Sequence, residues 1–207
     1  MKTPVLSLPV SLLCGIILTG CASFQVAGDI QRGRKQLIQG NPKAALSYFQ
    51  RAAKIQPDYL LNFSILNEGV WTYVGRAYYD SENFSEARQA LEKARTRHDQ
   101  DQLAKIYLGL VLGRSGDQKR GLMELEAGMK GLRDWLNYVH YNRRGGGVWD
   151  PTMEIRSELD RNLTMIGSGK VDWEALTASG EWIGQKIEIE VDRTKIDAYR
   201  RRIRQTE

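Results

Sequence analysis

The chain has 207 residues, 42% of them hydrophobic and 27% charged, which is the balance of a folded chain and not of a disordered one. Its 30 Lys and Arg stand against 25 Asp and Glu, and a formal charge of +5 spread along the chain does not call for nucleic acid. Two cysteines and two histidines exclude a disulfide-stapled scaffold and a Cys- or His-rich metal site, so neither metal nor cofactor is expected.

Residues 1–20 differ from everything after them. Lys2 gives a positive start, an uncharged run follows from Val5 to Leu18, and the small residues Thr19 and Gly20 precede Cys21. This is the layout of a secretory signal peptide. A transmembrane anchor needs roughly 20 apolar residues; this run is shorter and contains Pro9 and Gly15. Leu18-Thr19-Gly20-Cys21 resembles the lipobox of bacterial lipoproteins. The resemblance implies cleavage before Cys21, acylation of its thiol and new amino terminus, and a mature chain held at a membrane by its acyl chains. Ala22 in place of Asp implies, in a diderm host, an outer-membrane destination facing the periplasm. Several acyl chains anchor stably, at about 0.8 kcal/mol per buried methylene. Cys14 lies inside the apolar run and would leave with it. Residues 21–25 are expected as a lipidated linker.

The middle of the chain repeats itself. With Gly33, Gly75 and Gly109 in register, small residues follow twelve places on (Ala45, Ala87, Gly121). Large apolar residues come four later (Phe49, Leu91, Leu125), and small ones three after that (Ala52, Ala94, Gly128). Trp71, Gly75, Tyr78, Ala87, Leu91 and Ala94 make the second unit the fullest. The pattern resembles the tetratricopeptide repeat family, and places units at 26–59, 68–101 and 102–135 with an insert at 60–67. The resemblance implies an all-α superhelix of about three helix-turn-helix repeats. Small residues let paired helices approach and large ones fill the space beside them; three units are near the minimum for a stable stack. Gly40-Asn41-Pro42, Glu82-Asn83 and Ser115-Gly116-Asp117 are turn formers between the helical runs. Gly121 and Gly128 depart from the family's alanines, at up to about 1 kcal/mol each in helix propensity.

Residues 136–207 are expected to be extra C-terminal helices that cap the repeats. Asp134–Tyr141 reads as part of a capping helix, and Arg143-Arg144-Gly145-Gly146-Gly147 as a connector. Asp150 at a cap and Pro151 at the first position open a helix bearing Ile155, Leu159, Leu163 and Ile166. Asp172–Leu176 starts a short helix. Beyond Glu181, Lys186–Val191 alternates like a strand, whereas Trp182, Ile189, Ile196 and Ile203 recur every seven residues. A long terminal helix is the reading taken, either capping the stack or lying along its groove. Its end carries Arg200, Arg201, Arg202 and Arg204, as a solvated face or as a contact for anionic lipid head groups.

Carboxylates such as Glu154, Glu158 and Asp160 show no sign of the burial a glycosidase acid needs. His98 and His140 lack triad partners and metal-ligand spacing. No enzyme is therefore expected. What remains is a surface. The first helix of each unit lines the concave face of such stacks, here Arg34, Leu37, Thr72, Arg76, Tyr79, Leu110 and Arg114. An Arg- and Tyr-lined groove suits an acidic or carboxyl-terminal peptide. The Lys/Asn clamp of the family's chaperone-binding members is not reproduced. The expected function is that of a membrane-anchored periplasmic scaffold or assembly factor, with an envelope protein or peptide in the groove. The alternative is binding of cell-wall glycan, with Trp149, Trp173 and Trp182 stacking on sugars rather than filling the core.

Overall fold

A computed structural model describes residues 11–63, 66–141 and 149–204; side chains before Ala22 and at 62–63, 198 and 201–202 are outside the description. The described residues form eight helices and one small hairpin: α1 (Ser11–Ile38), α2 (Pro42–Ile55), β1 (Leu60–Phe63), β2 (Leu66–Gly69), α3 (Val70–Asp80), α4 (Phe84–Arg97), α5 (Gln102–Arg114), α6 (Gln118–Tyr141), α7 (Glu154–Gly167) and α8 (Trp173–Arg204). The pairs α1/α2, α3/α4 and α5/α6 are the three repeat units.

The register glycines explain why each pair closes. A Cβ on Gly33 would lie 2.3 Å from Phe49, on Gly75 2.4 Å from Leu91, and on Gly109 2.6 Å from Leu125. Each glycine thus admits the large residue sixteen places on. In the third unit a Cβ on Gly121 would meet the Gly109 carbonyl at 2.9 Å, and one on Gly128 the Gln102 carbonyl at 2.9 Å. Those two glycines cost helix propensity, and they allow α6 to lie backbone to backbone on α5.

The turns repeat as well. The amides of Asn41, Asn83 and Asp117 donate to the carbonyls of Gln36, Tyr78 and Leu112 at 2.8, 2.9 and 3.0 Å. One place earlier, Gly40, Glu82 and Gly116 donate to Leu37, Tyr79 and Gly113. This double closure needs a left-handed residue after the helix, and those three have φ of 74°, 60° and 87°.

The sequence did not reveal all of the architecture. The insert expected at 60–67 is an antiparallel hairpin, Leu60 opposite Gly69 and Leu61 opposite Glu68, with Leu61 and Leu66 buried. Residues 21–25, expected as a linker, are helical and continuous with α1. The capping helix expected at Asp134–Tyr141 is the end of α6. α7 starts at Glu154, later than Asp150-Pro151 suggested; Asp150 still serves it, accepting from the amides of Ile155 and Arg156 at 3.0 Å each. The glycine-rich connector at 143–147 lies outside the described residues. The two C-terminal segments expected after Gly169 are one helix of 32 residues, and no strand interrupts it.

Two buried clusters form the core. Val26, Ile30, Phe49, Tyr73 and Val74 fill the first units, with Phe49 and Tyr73 rings stacked at 5.0 Å. Leu91, Ile106, Leu110, Leu125, Leu159, Ile183 and Ile187 join units two and three to α7 and α8.

Candidate functional site

α8 lies along the face made by α1, α3 and α5, and runs antiparallel to all three. Trp173 stands against Gly113, Gly180 against Leu110 and Gly184 against Tyr107. Further on, Glu188 meets Arg76 and Arg34, and Lys195 reaches Gln31. Leu176, Ile183, Ile187 and Val191 form the buried stripe of α8. The heptad residues Ile189, Ile196 and Ile203 face outward instead.

The open groove expected from the repeat register is therefore corrected, because its lining is largely spoken for. Arg34 Nε donates to Glu188 Oε2 at 2.6 Å and Arg34 Nη1 to Asp192 Oδ1 at 3.0 Å. Arg76 Nη1 donates to Glu188 Oε1 at 2.5 Å and to Glu68 Oε1 at 2.6 Å. Arg34, Arg76, Glu68 and Glu188 are all buried. Two guanidiniums thus face two carboxylates, with the Arg76 guanidinium also 5.0 Å from the Tyr107 ring. Thr72 is buried and donates to Asp101 Oδ2 at 2.6 Å; Asp101 also accepts from the amides of Gly69 and Ala104, which ties the hairpin to the start of α5. Leu110 is buried under Gly180. Arg34, Thr72 and Leu110 are consumed within the chain, by α8 and Asp101, and Arg76 spends its guanidinium on Glu188 and Glu68.

Burial sets the charges of this network. It pushes the Glu68 carboxyl up to about 8, against the lowering pull of Arg76. Burial would also raise Glu188, yet the Arg76 and Arg34 guanidiniums outweigh it and hold this carboxyl below its ordinary value. Burial raises Asp101 too, opposed by its bonds from Gly69, Thr72 and Ala104.

Leu37, Tyr79 and Arg114 have a different fate. With Arg76 they border a cleft of about 480 Å³ beside α8. Ile38, Asp80, Glu82, Phe84, Tyr107, Glu181, Glu188 and Ile189 complete most of its wall. Tyr79 packs edge-on to Phe84 and Tyr107 at 5.6 Å. Its hydroxyl donates to Glu181 Oε1 at 2.6 Å, and Arg114 donates both to that hydroxyl and to Glu181. The four carboxylates of the wall outnumber its two guanidiniums. Every arginine that sequence reasoning assigned to an acidic ligand already has an acid from α8. Glu181, Glu188 and Asp192 were the residues missed. Their signal in the sequence was a line of acids seven and four residues apart along one edge of α8, flanking the buried stripe beside Gly184 and not on the side of Ile183 and Ile187.

Residues 36–107 match the tetratricopeptide repeat family. The matched stretch runs from the end of α1 to the middle of α5, about a third of the chain, and holds the fullest unit. With the helix pairs and their repeated turns, it makes the fold an all-α repeat stack of the tetratricopeptide kind, extended by α7 and α8. No curated protein and no solved structure matches the chain.

The remaining sequence candidates are placed as follows. Trp149 is buried edge-on to Trp135 at 4.8 Å, so it is core and not a platform for sugars; Trp173 and Trp182 are half-buried. Glu154 pairs with Lys186, Glu158 with Arg161 and Asp160 with Arg133. Hydrogen bonds from Lys186 and Arg161 hold Glu154 and Glu158 below their ordinary values, the reverse of what a general acid needs. Among the described residues no group of His, Cys, Asp or Glu is placed to hold a metal ion, and no helix is long and apolar enough to cross a membrane. The backbone of Cys21 is helical; its side chain is outside the description.

Proposed function

We propose that the chain is a membrane-anchored periplasmic lipoprotein of the bacterial envelope, probing its surroundings as a protein-interaction scaffold and not as a catalyst. The scaffold reading is carried by the cleft beside α8. It offers aliphatic and aromatic walls, Leu37, Ile189, Tyr79 and Phe84, next to an excess of carboxylates. Such a wall suits a partner segment with an apolar and a basic side chain, by burial and by charge complementarity. The acidic peptide expected from the sequence suits it less, since α8 supplies the acids. The repeat match between 36 and 107 supports a binding role. The envelope location rests on the signal-like residues 1–20 and on Leu18-Thr19-Gly20-Cys21. Anchoring would confine the repeats near a membrane and raise their effective concentration toward a membrane-bound partner.

Crosslinking pull-down from membranes tests this. The intact chain should recover one envelope protein. A Leu37→Arg, Ile189→Arg variant, which puts like charge and bulk on the cleft wall of a folded protein, should lose it. A Met123→Arg variant on the exposed side of α6 should keep it. Recovery of the same set by all three would overturn the cleft reading. Metabolic labelling with a radioactive fatty acid should mark the intact chain and not the Cys21→Ala variant; equal labelling would overturn the anchor.

A further inference from the structure

We propose that the end of the molecule where α1 passes Ala22 and α8 finishes is a docking surface for an anionic phospholipid membrane. This goes beyond the scaffold reading and stands whether or not Cys21 is acylated.

The geometry comes from the antiparallel course of the two helices. Glu188 and Asp192 meet Arg34, and Lys195 Nζ reaches Gln31 Oε1 at 2.9 Å. From there, α8 continues for nine residues to Arg204 while α1 extends nine residues back to Ala22. At 1.5 Å per residue both travel about 13 Å in the same direction. The two segments therefore reach the same end of the protein.

Their composition is that of an interfacial surface. Residues 193–204 contain six Arg and Lys against one Asp. Arg200 and Arg204 are exposed. So are four large apolar residues of these segments: Phe24 at 85%, Tyr199 at 67%, Ile196 at 51% and Ile203 at 42%. The nearby acids among the described residues are already engaged. Asp29 is held by Arg51 at 2.8 Å, Asp192 by Arg34, and Glu190 and Asp197 by Arg193. Among the described residues, Arg200 and Arg204 therefore leave an excess of positive charge at this end. Exposed aromatic and aliphatic side chains among arginines fit the boundary between acyl chains and anionic head groups. An acid-rich protein surface would match the charge and leave Phe24 and Tyr199 without a purpose.

The inference also gives the anchor an orientation. Cys21 precedes this end by one residue, so the lipid and the basic face would meet one membrane together. The cleft, which lies along the helices toward Leu37 and Ile38, would stand off from it by about the 15 residues of α1 between Ala22 and Leu37, or roughly 22 Å.

Co-sedimentation with vesicles tests the proposal. The full chain carrying Cys21→Ser is mixed with vesicles of pure phosphatidylcholine, or of three parts phosphatidylcholine to one part phosphatidylglycerol. Lys2 and the apolar run at Val5–Leu18 are the same in parent and variants, so the difference between the parent and a charge-reversed variant reads the basic end. The preference of the parent for anionic over neutral vesicles should be several-fold and should be lost at high salt. Arg200→Glu with Arg204→Glu should remove most of that preference without moving the unfolding midpoint. Tyr199→Ser should weaken anionic binding at either salt. Equal binding to both vesicle types, or a charge-reversed variant that sediments like the parent, would overturn it. Neither readout depends on a cleft partner, so this proposal and the scaffold reading fail separately.

Discussion

Glu188 Oε2 accepts from Arg34 Nε at 2.6 Å, although 154 positions separate the two residues in the chain. The other oxygen of the same carboxylate takes Arg76, which holds in the second unit the place that Arg34 holds in the first. One acid on α8 therefore joins two successive repeats. In the third unit that place is Leu110, and it meets Gly180, just over two turns before Glu188 on the same helix. α8 follows the register of the stack, matching an apolar place with a glycine and two basic places with one carboxylate. It occupies the face as a bound helical ligand would.

Removing that carboxylate leaves two buried guanidiniums, with Arg34 reduced to half-exposed Asp192 and Arg76 to Glu68. Breaking one partner out of a buried ion pair costs about 3–5 kcal/mol. Glu188→Ala should lower the unfolding free energy by that amount. Glu188→Gln, which keeps one carbonyl acceptor, should lose less. Urea unfolding followed by circular dichroism decides it. A loss under about 1 kcal/mol for the alanine variant would mean that the network is solvated and that α8 does not depend on it.

Glu68 predicts a pH dependence. Its carboxyl is raised from an ordinary value to about 8 by burial. The folded state therefore holds a proton that the unfolded state releases. Glu68's contribution to stability is complete below the unfolded value and is lost as pH rises toward about 8. Glu188 has the opposite sign: its folded value is lowered, so its contribution is present above the ordinary carboxylate range and is lost as pH falls through the folded value. Glu68→Gln mimics the protonated form. Stability of the parent should fall between about pH 5 and 8 relative to this variant, and the two curves should agree at the acid end of that window. Parallel curves across the window would show Glu68 ionised throughout.

The repeat core was legible in the sequence because sterics left a one-letter record. A glycine was required wherever Phe49, Leu91 or Leu125 crosses the partner helix, and the spacing of those pairs is fixed by the helix hairpin. The ion network left no such record. Arg34 and Arg76 look alike whether they face water or Glu188, and periodicity within one helix cannot say which distant acid will meet them. Along α8 the heptad of Ile189, Ile196 and Ile203 marked the helix correctly, but these side chains are exposed and do not mark its buried side. The inward stripe mixes Leu176, Ile183, Ile187 and Val191 with Gly180, Gly184 and Glu188, residues that a hydrophobicity pattern discounts. The hairpin was hidden because LLNFSILN carries neither Gly nor Pro to punctuate its turn.

Gly184 should be among the least replaceable positions of α8. A Cβ there would stand 2.2 Å from the Tyr107 hydroxyl and 2.8 Å from its ring, and Tyr107 is itself buried. Alanine would favour an isolated helix, so propensity and packing pull in opposite directions. Overpacking of this kind costs about 1–3 kcal/mol, against roughly 1 kcal/mol gained in propensity. Gly184→Ala should be destabilising on balance and should loosen α8, seen as faster proteolysis within residues 173–204. Gly167→Ala, where nothing lies within 4 Å, should show no such loosening. Equal protection of α8 in both variants would show that the helix is not seated against Tyr107.

The left-handed turn position recurs in all three units, so the repeat supplies its own control. Gly40, Glu82 and Gly116 occupy the same place in three turns with the same pair of hydrogen bonds. Only the second unit puts a side chain at this φ, where an L-residue is disfavoured by roughly 1–2 kcal/mol. Glu82→Gly relieves that strain, and the added freedom of the unfolded chain returns part of the gain. The net expectation is a stabilisation of about 0.5–1 kcal/mol. Gly40→Ala and Gly116→Ala should move the other way by about 1 kcal/mol. No atom lies within 4 Å of either added Cβ, so backbone strain is the only new term. Thermal unfolding of the three single variants measures this. Opposite signs at equivalent positions would show that the turn chemistry is common to all three units; a destabilising Glu82→Gly would mean that the Glu82 side chain contributes more at the cleft than its backbone costs.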